Sequence, residues 1–162
     1  MLLLFAAGFF IGGFSPLQAQ VSTNQNVFLL IDEINLIGTS GDVTLHIRAV
    51  DWDLATGIGT ATDSSSTYAL ITNAVTPKKV TGLLTSAMPT NTTLAINLAA
   101  PAPAVSQGET VLTLAAQDLV RGITQTSWAA QTITYTFRAT PNAAPITTPV
   151  QRIVTLTITD DV

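Results

Sequence analysis

Apolar and polar residues alternate with a period of two along most of the chain beyond residue 26. Successive side chains of a β-strand point to opposite faces, so this period predicts strands with one buried face. The alternation is clearest over residues 131–140 and 151–160, where aliphatic or aromatic residues alternate mainly with threonine. The predicted strands cover residues 27–37, 42–50, 57–62, 67–72, 79–84, 92–99, 110–116, 119–124, 131–140 and 151–160.

Gly, Ser, Asp and Pro clusters separate these strands, for example at residues 38–41 and 62–66. The proline-rich stretches 99–105 and 141–149 indicate long loops. Roughly eight to ten short strands with no helical stretch predict an all-β chain folded as one antiparallel β-sandwich of immunoglobulin-like architecture. A closed barrel is the alternative, because the period alone does not separate the two architectures.

The predicted first strand is unusual because both of its faces are apolar. Val27, Leu29 and Ile31 lie on one face, and Phe28 and Leu30 on the other. Such a strand is either central in its own sheet or inserted into a groove of another chain. In the next predicted strand, 42–50, only one face is apolar: Val43, Leu45, Ile47 and Ala49 point inward, and Thr44, His46 and Arg48 outward.

The first nineteen residues have the pattern of a secretory signal peptide. An apolar run over residues 2–14 is followed by Ser15, Pro16 and the small residue Ala19, although no basic residue precedes the run. The run is shorter than the roughly 20 residues that a membrane-spanning helix needs. We therefore expect a signal peptide over residues 1–19 and one secreted domain over residues 20–162, with no membrane attachment after cleavage.

Composition narrows the chemistry further. Only 10% of residues are charged, the net charge is −4, and cysteine is absent. These values exclude a disulfide scaffold and a thiol catalyst, and they argue against nucleic-acid binding, which needs clustered Lys and Arg. Low charge also leaves little repulsion between copies of the chain, as self-association requires.

Several polar residues are candidates for chemistry, and each has a simpler interpretation. His46 could be a base or a metal ligand, but no orienting carboxylate and nucleophile accompany it at a recognisable spacing. Asp51, Asp53 and Asp63 could bind calcium through oxygen, or they could form solvated turns while Trp52 closes the end of the core. No catalytic motif is present, so we expect no enzyme activity, no cofactor and no metal site.

Carbohydrate offers two further candidates. Residues 91–93 match a glycosylation sequon, which would place a surface glycan on Asn91. Trp128 and Tyr68 could stack on a sugar, or they could belong to the core. A sugar-binding role would require aromatic side chains exposed together.

The chain resembles small secreted β proteins of Bacteroidota-type bacteria, a group with no assigned activity. The resemblance is carried by the secretory leader, residues 27–36, the stretch 61–66 and the ending 153–160. In architecture the chain is also similar to extracellular filament subunits assembled by donor-strand exchange. It lacks the cysteine pair and the penultimate tyrosine of chaperone–usher pilins.

The resemblance to filament subunits implies a donor strand within residues 21–37, with Val27, Leu29 and Ile31 as its anchors in the subunit interface. The partner would be a second copy of the chain, added head to tail in a secreted pilus-like filament. The alternative is a monomeric secreted or periplasmic module that binds carbohydrate or calcium.

Overall fold

The computed structural model describes residues 23–162, and their regular structure consists of β-strands and one short 3₁₀ turn, Ala49–Asp51. The chain divides into two units, Met1–Ile31 and Asp32–Val162, and the strands found within residues 23–162 belong to the second. In chain order the strands are β1 (Asn35–Ser40), β2 (Trp52–Asp53), β3 (Ile58–Thr72), β4 (Lys78–Leu84), β5 (Thr92–Leu98), β6 (Val105–Ser106), β7 (Thr110–Val111), β8 (Gln117–Ile123), β9 (Thr126–Ala139) and β10 (Val154–Asp160).

These strands form two antiparallel sheets. The larger has six strands in the order β1-β3-β9-β5-β7, with β2 also paired to β3. The smaller has four strands in the order β10-β4-β8-β6. The predicted all-β sandwich is therefore confirmed, with β1 and β10 at the edges of their sheets. Within residues 23–162, no helix has the length and apolar character needed to cross a membrane.

The core lies between the sheets and is built from the inward side chains that the alternation predicts. Among its fully buried members are Leu70, Ile96, Leu119 and Ile133. Gly82 on β4 makes room for its neighbours, because a Cβ atom there would lie 2.7 Å from Leu119 Cδ1 and 3.3 Å from Leu156 Cδ2. The absence of a side chain at this position lets β10 pack close to the core.

The predicted first strand, 27–37, is wrong in its position. Pairing begins only at Asn35, where β1 aligns antiparallel with β3, and residues 23–34 carry no strand. Apolar character at residues 27–31 therefore does not create a strand by itself. A strand also needs a neighbour that accepts its backbone hydrogen bonds.

The predicted strand 42–50 is also absent. Its inward and outward pattern is correct over residues 43–48, but Ala49, which was predicted to point inward, is exposed and begins the 3₁₀ turn. Val43, Leu45 and Ile47 are half-buried and Leu45 packs on the core, whereas His46 is exposed. Among residues 23–162, the backbone of residues 42–47 has no hydrogen-bonded partner strand. The alternation here comes from packing of an extended chain and not from a ladder.

Two smaller predictions also need correction. The expected turn at residues 62–66 lies inside β3, where the register with β9 shifts between Asp63 and Ser66. Asp63 Oδ1 accepts hydrogen bonds from Ser65 N at 2.8 Å and Ser65 Oγ at 2.6 Å, so the turn-forming bonds produce an irregularity within a continuing strand. The expected strand 110–116 shortens to the two residues of β7.

Candidate functional site

The N-terminal apolar segment, residues 27–31, exposes every one of its side chains. Val27 is 71% exposed, Leu29 89% and Ile31 85%, and the two residues between them, Phe28 and Leu30, are 93% and 89% exposed. Contiguous apolar exposure of this kind marks an interaction surface in soluble proteins. The role of Val27, Leu29 and Ile31 as donor-strand anchors stays a prediction.

Residues 32–34, which follow this segment and begin the second unit, are fixed by polar contacts to the residue after β3. Asn73, just after β3, accepts a hydrogen bond from Ile34 N at 2.8 Å through Oδ1. Its Nδ2 atom donates to Asp32 O, also at 2.8 Å. Residues 32–34 therefore have a defined position at the end of the sandwich where β3 turns into β4.

An ion-pair cluster at the same end consists of Glu33, Lys78 and Asp160. Lys78 Nζ lies 2.8 Å from Glu33 Oε1 and 2.6 Å from Asp160 Oδ1. Hydrogen bonds to Asp160 and Glu33 raise the pKa of Lys78, and the hydrogen bond from Lys78, with a smaller one from Asn35, lowers the pKa of Glu33. Lys78 and Glu33 are thus charged at neutral pH, and Glu33 is held beside the C-terminal end of β10.

The outer edge of β10 presents an unpaired row of backbone groups. Ile153 O accepts a hydrogen bond from Thr85 N at 3.1 Å, and Asp161 N donates one to Pro77 O at 3.0 Å. The backbone N–H and C=O groups of the odd-numbered residues of β10 therefore point toward β4. Backbone groups alternate in direction along an antiparallel strand. The N–H and C=O groups of Val154, Leu156 and Ile158 consequently point away from β4, to the side where no strand of residues 23–162 is paired.

The side chains of the same three residues point into the sandwich and are only half-buried, whereas the threonines between them are exposed. A groove of about 280 Å³ runs between the two sheet edges at this place. It is lined by Ile37, Gly38, Thr39, Tyr135, Val154, Thr155 and Leu156. A groove that contains aliphatic side chains and lies beside unpaired backbone groups is a place where an added strand can pair.

The other sheet edges offer a shorter row of backbone groups or fewer inward apolar side chains to an added strand. Strands β6 and β7 have two residues each, and Ile37 is the large aliphatic residue that β1 directs inward. Proteins usually protect exposed edges with charged residues, prolines or bulges. From Val154 to Thr159, β10 contains none of these, and its register with β4 is regular.

Sequence reasoning missed this edge. The uncharged alternation of β10 is visible in the sequence, but whether a strand is central or at an edge depends on the topology. Lys78 was also missed as the partner of Glu33, because the two residues come together only through the packing of separate elements.

The candidate calcium ligands serve local structure. Asp51 Oδ2 accepts from Arg48 N at 2.7 Å, and Asp53 accepts from Ala55 N and Thr56 Oγ1 at 2.8 and 2.9 Å. The hydrogen bond from Ala55 N, followed by that from Thr56, lowers the pKa of Asp53. No group of three or more His, Cys, Asp or Glu side chains in residues 23–162 is placed to hold a metal ion.

The candidate sugar platform is part of the core. Tyr68 and Trp128 are 1% and 8% exposed and meet edge to face, with ring centroids 6.4 Å apart. Tyr68 OH donates to Ala99 O at 2.6 Å, and burial raises its pKa to about 12. Asn91 of the sequon is exposed, and its Nδ2 atom donates to Asn142 O at 2.9 Å.

Comparison of the chain with protein-family models, curated proteins and solved structures finds no match.

Proposed function

We propose that this chain is a secreted structural protein, the subunit of an extracellular filament assembled by strand donation between copies. The observation that carries the proposal is the N-terminal apolar segment, five consecutive large apolar residues that are all at least 71% exposed. Full burial of one such side chain contributes about 1.5–3 kcal/mol. A second copy that covers this segment would recover that free energy.

The chemistry of the rest of the chain supports a structural role. The candidate ligands for calcium are engaged in turns, and the aromatic pair Tyr68–Trp128 is buried in the core. A net charge of −4 over 162 residues allows copies to pack closely. The secretory pattern of residues 1–19, which lie outside the described residues, supports the extracellular location.

Strand donation also explains how assembly would continue. Donor and acceptor are different parts of one chain, so each contact leaves a free donor on one copy and a free acceptor on the other. A head-to-tail contact of this kind produces an open fibre unless its rotation closes a ring.

Electron microscopy of the protein shed from its native cells, together with unboiled and boiled denaturing gels, tests the proposal. We expect fibres and a ladder of bands that heat converts to monomer. The variant Val27→Ser/Leu29→Ser/Ile31→Ser should lose both. The control Val50→Ser/Leu54→Ser, which removes apolar side chains that are 84% and 98% exposed elsewhere, should keep both.

Discrete monomers and no ladder from the natural protein would contradict the proposal. So would fibres that form equally well without residues 21–31. Circular dichroism of each variant separates a loss of assembly from a loss of folding.

A further inference from the structure

We propose that the acceptor of the donated strand is the outer edge of β10, and that residues 27–31 of a second copy lie antiparallel to it. This inference rests on the proposed function and adds the partner surface, the direction and the register. It places Val27 opposite Ile158, Leu29 opposite Leu156 and Ile31 opposite Val154.

Backbone geometry requires odd-numbered donor residues to lie opposite the even-numbered residues of β10, and matching the three anchors to the three residues Val154, Leu156 and Ile158 gives this register. The N–H and C=O groups of Val154, Leu156 and Ile158 point to the free edge, as the bonds of Ile153 and Asp161 to the other side require. Residues directly opposite in an antiparallel pair direct their side chains to the same face. Pairing these residues with the anchors Val27, Leu29 and Ile31 therefore satisfies the ladder and places all the anchors toward the core.

The groove between the sheets accommodates the inward face of such a strand. Ile37, Tyr135 and Leu156 line its sides, and Val154, Leu156 and Ile158 are left half-buried beside it. Alternate side chains of an added strand would cover these residues. The outward residues Phe28 and Leu30 would then lie beside Thr157 and Thr155, both of which are exposed.

The position of Glu33 favours the antiparallel direction. Glu33 is bound to Lys78 next to Asp160, so each copy sends its own N-terminal segment out near the C-terminal end of β10. An antiparallel donor would place its own sandwich at the opposite end of β10, near Val154. The place where the acceptor's own N-terminal segment begins, beside Glu33, would then stay uncovered. A parallel donor would bring the second sandwich to the exit itself.

Charge favours the same direction. In the antiparallel register, the donor residues Asp32 and Glu33 come beside Arg152 of the acceptor. The Arg152 guanidinium donates to the carbonyls of Ala87 and Gln151, and it forms no ion pair within residues 23–162. A parallel strand would instead bring two acids beside Asp160 and Asp161, and like charges at that spacing repel.

Cross-linking of single-cysteine variants tests the pairing, because the natural chain contains no cysteine. Leu30→Cys and Thr155→Cys chains, one of them isotope-labelled, are mixed during assembly and oxidised. In the proposed register these positions are directly opposite, with Cα atoms about 4.5 Å apart. Leu30→Cys with Thr157→Cys is the matched control, since diagonal positions are about 7–8 Å apart, beyond disulfide reach.

We expect a mixed disulfide dimer from the first pair and its loss in the control pair. Reversal of this result would show a parallel strand or an antiparallel strand shifted by two residues, and either would overturn the inference. Fibres that form while neither pair cross-links would place the acceptor elsewhere, and the proposed function would still stand. A monomer carrying both Leu30→Cys and Thr157→Cys that closes on itself would show pairing within one chain, which overturns both proposals.

Discussion

Two five-residue segments that carry large apolar residues have opposite environments in this molecule. Residues 94–98 of β5 contain Leu94, Ile96 and Leu98, which are 7%, 0% and 0% exposed. Residues 27–31 contain comparable side chains that are 71–93% exposed. Local sequence does not explain the difference, since both segments favour an extended, buried strand.

The difference comes from the neighbours. Strand β5 pairs with β9 on one side and β7 on the other, and the opposite sheet covers its inner face. Residues 27–31 have no paired strand within residues 23–162. The second segment thus has the composition of an interior strand, but nothing in residues 23–162 covers it, as is expected of a strand that is donated to another chain.

The largest expected effect separates the two segments in the monomer. Ile96→Ala removes a fully buried side chain and should lower the free energy of unfolding by about 2–5 kcal/mol. Leu29→Ala removes an exposed one and should change it by less than about 0.5 kcal/mol. Urea denaturation of the unassembled protein measures both values. A destabilisation by Leu29→Ala as large as that by Ile96→Ala would mean that residues 27–31 are buried in the monomer.

The same comparison shows how far the sequence could predict the structure. Strands β4, β5, β8, β9 and β10 were found because each buries one face, and burial of one face leaves a period of two in the sequence. Residues 42–50 show the same period without a ladder, because packing on the core selects side chains whether or not the backbone is paired.

The sequence predicts only one half of the candidate site. Residues 27–31 are a candidate donor because both of their faces are apolar, and that role stays a prediction. The acceptor could not be identified, because the free edge of β10 follows from the order of strands in the sheet. The contact of Glu33 with Lys78 brings together residues from distant parts of the chain, and no spacing in the sequence indicates it.

A smaller effect concerns the ion pair between Glu33 and Lys78, which fixes the chain just after the N-terminal apolar segment. The hydrogen bond from Lys78 lowers the pKa of Glu33 below its ordinary value of 4.5. The stabilisation from Glu33 is therefore complete above that value, and it is lost as the pH falls through the lowered pKa. Glu33→Gln should reduce the loss of stability between neutral and acidic pH, and thermal melts over a pH series measure this.

The control for this prediction is Asp42→Asn, which removes an exposed carboxylate that forms no ion pair within residues 23–162. Some acid sensitivity should remain in every variant, because the ion pair with Arg121 also lowers the pKa of Asp161. An unchanged dependence of thermal stability on pH in Glu33→Gln would mean that Glu33 does not form its ion pair with Lys78 in solution.

Hydrogen exchange of the assembled and the dissociated protein, measured peptide by peptide, compares the proposed donor with the proposed acceptor. A shared strand protects backbone amides on both of its partners at once. We predict that assembly slows exchange in residues 27–31 and at Val154, Leu156 and Ile158 together, while β5 is protected in both states. Equally fast exchange of residues 27–31 before and after assembly would contradict it.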